Sequence, residues 1–377
     1  MNKRAIAILG AIFILIVATL GVLIFLRSRS KDKPAAEEQP QEQTYATPQE
    51  DPVPEEPVSA GLAVKLSDEH VLSPTLFFQG DGIAYFDSQG QLYNASLEKG
   101  ASGYTMGNLR QITLPVRTGV GKVVWPATGN NFLVESKSAS GSRAWSVFNS
   151  VTNSYVDLPS NITTIDWLPD GETLVYIWLD SQGKSTLNVA NTDNTSYQDV
   201  AEIWENDDEI SVSPDGQSIL FYRRDSKEAK NQINLTTPDG SLFRGIVLEG
   251  YNSGVLWAPD NRHFLFGRRN ASGSYELWLG DITLGAVRGL GIITTTEKVV
   301  WSKDSQTIYA AVPKANSSSL GLSEDQAVRI NTETLEQKQY DLGSGIDARD
   351  LFLSLTDDAL FFKNAQDSTL YYLDLTK

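Results

Sequence analysis

Two arginine pairs, Arg223-Arg224 and Arg268-Arg269, stand 45 residues apart and present planar, forked donors. Such donors grip carboxylates bidentately, so four of them on one surface suit a carboxylate-rich peptide or glycan. Upstream lies the acidic segment Trp204-Glu205-Asn206-Asp207-Asp208-Glu209. Its Trp204, Asp207 and Asp208 complete a candidate binding surface with the four arginines. The plainer alternative is that segment and arginines neutralise each other on an exposed rim, where ion pairs contribute little. The oxygen-rich segment also has the ligand type of a calcium loop, but it lacks that loop's glycine-punctuated spacing. No metal site or cofactor is expected.

Other reactive groups are sparse. The chain has two histidines, His70 and His263, far apart in sequence, and no cysteine. Thiolate metal sites, disulfides, a cysteine nucleophile and a lipid-bearing cysteine are thereby excluded. No Gly-x-Ser-x-Gly elbow, His-Glu-x-x-His pair or phosphate loop occurs. Scattered carboxylates could converge for glycoside chemistry, but sequence does not show which. The expectation is a binding module and not an enzyme, with a carbohydrate-acting enzyme or cell-wall glycan binder as the alternative. An architectural subunit of an envelope complex is a further one.

The elements that position these groups are legible as a repeat. Trp167-Leu168-Pro169-Asp170-Gly171, Val212-Ser213-Pro214-Asp215-Gly216, Trp257-Ala258-Pro259-Asp260-Asn261 and Trp301-Ser302-Lys303-Asp304-Ser305 recur at 45, 45 and 44 residues, and Trp125-Pro126-Ala127-Thr128-Gly129 precedes them by 42. Weaker copies near Phe78–Gly82 and Leu353–Asp358 bring the units to seven. Each copy reads as an apolar run, a tight turn, a second apolar run, a polar hairpin and a third strand. Aromatic and β-branched runs between Gly, Asp and Asn are strands, and a period of 40 to 50 residues marks stacked or radial units. An all-β, seven-bladed β-propeller is expected, with six blades as the alternative. The repeat Trp is expected in the core between neighbouring sheets. Aligned this way, the arginine pairs end the second strands of adjacent blades, on the face opposite the Pro-Asp-Gly turns. The last unit stops at its third strand, so Leu62–Ser67 is expected to close the ring as its fourth.

Residues 5–26 carry no charge. A helix of that length spans about 30 Å of hydrocarbon at about 1.5 Å per residue, so residues 1–32 are expected to be a single-pass signal anchor. Residues 33–60, with Pro34, Pro40, Pro48, Pro52, Pro54 and Pro57 among Glu and Gln, are expected to be a disordered, semi-rigid stalk. Residues 61–377 form the propeller. Beyond Lys33 the chain has 25 Lys/Arg against 46 Asp/Glu, a net −21 within the overall −16, which repels nucleic acid. Positive charge is heavier after the span than before it, a count that favours a cytoplasmic C-terminus. The propeller is nevertheless placed outside the cytoplasm, because the leading tail is only four residues long and the family resemblance of its repeats implies an envelope protein.

The Trp-Ser-Pro-Asp-Gly grammar of these units resembles the WD-like repeats of the bacterial TolB-type propellers, over about Leu62–Lys377. That resemblance implies an envelope protein whose propeller contacts proteins or peptides. On it rests the expected function: a membrane-tethered, non-catalytic propeller in the cell envelope, binding a protein or peptide.

Overall fold

The computed structural model describes residues 62–377 apart from 78–81, 138–140, 142, 194, 204–208, 224–229, 250–251, 286 and 315–321. The sequence-predicted anchor, the stalk and the residues Trp204, Asp207, Asp208 and Arg224 lie outside the described residues. Among the described residues no helix is long and apolar enough to cross a membrane.

The repeats fold into seven four-stranded antiparallel sheets, so the propeller has seven blades and not six. The innermost strands are Leu72–Leu76, Val120–Val124, Ile162–Trp167, Glu209–Val212, Asn252–Trp257, Val299–Trp301 and Ala348–Leu353. Second strands follow at Gly82–Phe86, Phe132–Lys137, Thr173–Leu179, Ile219–Tyr222, His263–Arg269, Thr307–Pro313 and Ala359–Asn364. A second strand is covered on both faces by adjoining blades, which is why its sequence is continuously apolar instead of alternating. Leu174, Val175, Tyr176 and Ile177 are all buried, as are Phe264, Leu265 and Phe266. The buried side chains form seven clusters, each shared by two neighbouring blades.

The repeat motif works through its turn. Asp170 Oδ1 accepts the N–H groups of Glu172 and Thr173, and Asp260 Oδ1 and Asp304 Oδ1 do the same two and three residues on. The residue after each Asp is left-handed: Gly171 at φ 68°, Gly216 at 71°, Asn261 at 61° and Ser305 at 59°. Position 171 demands glycine for a second reason. A Cβ there would lie 2.1 Å from the Thr128 carbonyl oxygen of the preceding blade's turn.

The repeat tryptophan is a clasp as well as a core residue. Trp125, Trp167, Trp257 and Trp301 each donate Nε1–H to a carbonyl on the innermost strand of the blade before, at 2.7 Å to Ser73, 3.0 Å to Val124, 3.0 Å to Ser211 and 3.3 Å to Leu256. Where Val212 replaces Trp, a side chain of the preceding blade makes the link. Asp166 Oδ2 accepts the Val212 N–H at 3.2 Å.

Two devices join the last blade to the first. Val64–Lys65 pairs with Tyr372 and Tyr371, making an outer strand for the seventh sheet. The hairpin of the first blade, Leu92–Gly100 and Gly103–Ile112, also reaches across. Its Tyr104 packs edge-on against Phe361 and Tyr372 and donates to Asp358 at 2.8 Å, and its Lys99 pairs with the same carboxylate.

Candidate functional site

The innermost strands enclose a channel of about 850 Å³. Its wall takes Lys122 from the second blade, Thr163 and Thr164 from the third, Glu209 from the fourth, and Arg349 and Asp350 from the seventh. Glu135, Arg143, Glu297 and Lys363 bring the wall to four carboxylates and four cations, with Trp125, Trp145 and Phe352 as aromatic surface. In a chain of net charge −16 this balance is a local concentration of cations. Four of these charges form two pairs: Arg143 Nε lies 3.2 Å from Glu135 Oε1, and Lys363 Nζ lies 2.6 Å from Asp350 Oδ2.

Behind the wall, at the junction of the sixth and seventh blades, is a buried ionic chain. Lys298, 8% exposed, directs Nζ to Ser323 Oγ at 2.6 Å, Asp325 Oδ2 at 2.7 Å and Asp347 Oδ1 at 2.7 Å. Both carboxylates are fully buried. Arg349 grips Asp347 through Nε at 3.3 Å and Nη2 at 3.1 Å. Burial alone would push the Asp347 carboxyl up, but Arg349 and Lys298 outweigh it and hold the group below the usual carboxylate range. The same hydrogen bonds raise the Arg349 guanidinium. Glu297 and Arg349 line both the channel and an adjoining chamber of about 320 Å³. Two chemical tasks are thus available at one place: a carboxylate in the channel wall and a guanidinium whose orientation is set from behind.

Arg223, Arg268 and Arg269 follow or end second strands, on the face opposite the turns. Arg268 lies over the Trp278 ring at 4.9 Å, and Arg269 Nε donates to the Gly273 carbonyl at 3.0 Å, so both are engaged with the hairpin of their own blade. None of the three is among the residues lining the channel. Sequence reading missed Lys122, Glu297, Arg349 and the Lys298 chain, and reached Glu209 only as the end of the acidic segment. A signal existed for Lys122, Glu209 and Arg349: once the blades are aligned they are charges on or opening an innermost strand, where apolar residues would otherwise suffice.

No known family profile matches the chain, and no curated protein matches it in sequence. Its fold is similar to that of solved structures. An oligogalacturonate lyase from Vibrio parahaemolyticus aligns with 83% of this chain and 91% of its own, at 11% identity and a TM-score of 0.57. An oligogalacturonate lyase in complex with manganese aligns over 85% and 97%, at 11% identity and 0.58. The hydrazine synthase of Kuenenia stuttgartiensis aligns over 82% and 97%, at 11% identity and 0.55. At such identities the likeness shows a shared fold. It overturns the expected function, because nearly whole enzyme chains share this architecture. The propeller architecture is therefore no ground for reading a non-catalytic module that holds a protein or peptide.

The described residues do not supply a manganese site. No three His, Cys, Asp or Glu side chains converge among them. His263 Nδ1 lies 2.6 Å from Asp260, and Asp281 beside it is engaged by Arg262 at 2.6 and 3.0 Å.

Proposed function

We propose that this propeller is a carbohydrate-acting protein that takes an acidic oligosaccharide into its central channel. The supporting observation is the channel wall, where four cations and four carboxylates share the lining with aromatic surface in an otherwise acidic molecule. A sugar ring offers hydroxyls to planar polar side chains and an apolar face to aromatics, and a uronate carboxylate seeks Arg or Lys. A carboxylate in the wall, Glu297 or Glu209, is placed to move a proton. Arg349, anchored from behind by Asp347, is placed to stabilise negative charge as it develops. The fold shared with the oligogalacturonate lyases makes a uronate the first substrate class to try.

The test uses the full chain with oligogalacturonides and with neutral cello-oligosaccharides, following ultraviolet absorbance for unsaturated sugar, reducing ends for hydrolysis, and heat for binding. Uronate-dependent cleavage that falls at least ten-fold in Lys122→Ala and Arg143→Ala supports the reading. Binding without turnover reduces it to a glycan-binding module, and no heat or product with any sugar overturns it. The repeat motif supports assignment of the blades to the WD-like group. We further propose that residues 5–26 tether the propeller to the cell membrane outside the cytoplasm, supported by their uncharged run. Protease added to intact cells then cuts within 33–60, and protection that persists through selective opening of any outer barrier sinks the orientation.

A further inference from the structure

Between the first and second blades a separate cleft of about 660 Å³ opens toward the face that carries the Pro-Asp-Gly turns. That volume is of the order that encloses a small organic molecule, and native interiors leave few voids larger than a water. Its floor is the aromatic side of the junction. Phe132 and Phe148 stack at 4.7 Å with planes 17° apart, and Trp125 tilts over Phe132 at 5.3 Å. Ile112 and Leu114 continue the apolar wall, while Phe77 and Leu355 stand exposed at the margin.

The charge pattern distinguishes this cleft from the channel. Among the described residues none of its lining side chains is Asp, Glu, Lys, Arg or His, in a chain that is 21% charged. Burial and the nearby Asp87 raise the Tyr93 hydroxyl, so it stays neutral too. An ion entering here would lose hydration with no opposite charge to replace it. Polar groups are nevertheless present as neutral ones, the amides of Asn94, Asn130 and Asn153 and the hydroxyls of Thr75 and Thr113. Flat aromatic walls with amides beside them fit a planar ring that carries hydrogen-bonding atoms at one edge.

We propose that this cleft is a second ligand site, distinct from the central channel, for an uncharged, ring-bearing small molecule. Thr75 and Trp125 line both spaces, so its occupant would touch the wall of the channel.

Equilibrium dialysis of the full chain in detergent, with micelles alone as the blank, tests this with coumarin and its anionic analogue coumarin-3-carboxylate. The expected result is saturable coumarin binding, one molecule per chain, with the carboxylate at least ten-fold weaker. Ala127→Trp, at an exposed turn position on the cleft wall, and Leu114→Asp, which charges that wall, should each weaken coumarin at least ten-fold while far-ultraviolet circular dichroism is unchanged. Equal retention of the two probes overturns the proposal, as does the absence of saturable coumarin binding or full binding in both variants.

Discussion

At Lys298 one ammonium faces carboxylates from two blades, Asp325 and Asp347, and all three are withdrawn from water. Such a cluster adds little stability over apolar packing, yet breaking it is costly because a charge is left buried and unpaired. Lys298→Met is therefore expected to destabilise by about 3–5 kcal/mol, read from the shift in urea midpoint at constant slope. Adding Asp325→Asn should restore part of that loss, since Asp347 keeps its Arg349 partner while Asp325 loses the lysine. A loss under about 1 kcal/mol in the single variant would mean that water already relieves the site. The fully buried Asp325 Oδ1, which has no hydrogen-bond partner among the described residues, is where such a water would bind. The pair Val212 and Asp166 teaches a related lesson, that a missing side-chain clasp is replaced by a carboxylate on the neighbouring blade.

Among the elements, the strand Val64–Lys65 is short, and both its residues are exposed. Its pairing to Thr369–Asp374 is extended by Leu66, which donates to the Leu370 carbonyl at 2.8 Å, and by Ser67 Oγ, which accepts the Leu370 N–H at 2.9 Å. Without it the Thr369–Asp374 edge is unpaired and open to another chain. A chain beginning at Leu66 should melt several degrees lower and show concentration-dependent association in sedimentation velocity. If it stays monomeric with an unchanged melting temperature, the hairpin contact through Lys99 and Tyr104 is what closes the ring. That hairpin tolerates little change at Gly103, at φ 118°, where a Cβ would overlap the Tyr372 hydroxyl.

For the whole molecule, stability should be bounded by its carboxylates on one side and its buried tyrosines on the other. Burial opposes ionisation of Asp281, but Arg262 and the N–H groups of Leu284 and Thr283 bring its carboxyl down to about 2. Asp347 and Asp358 are also lowered. A depressed carboxyl stabilises above its unfolded value of about 4, and that contribution is lost as pH falls through the folded value. Burial pushes Tyr85, Tyr176 and Tyr309 up to about 12. Above about pH 10 the unfolded chain releases those protons and the folded one does not, so stability falls again toward about pH 12. Urea midpoints across this range should show a plateau from about pH 4 to 10 with both limbs descending. A midpoint that rises between pH 10 and 12 would contradict the buried-tyrosine assignment.

The seven-fold repeat was readable because its determinants are local. A left-handed residue after an Asp that caps its own turn, and a Trp seven residues ahead of the next apolar strand, leave a periodic trace in the sequence. The Trp could be read as core from its size alone, but its bond to a carbonyl of the preceding blade could not, since that partner lies 43 to 52 residues away. The candidate site was illegible for the same reason. Lys122, Glu209, Glu297 and Arg349 come from four blades and share a wall only after the ring closes. Sequence alignment of the repeats instead favoured Arg223, Arg224, Arg268 and Arg269, whose equivalence is one of register; the described three lie away from the channel. Period and turn chemistry are properties of the chain and set the blade. Which charges meet at the axis depends on the radial closure of seven blades, and that is a property of the tertiary structure alone.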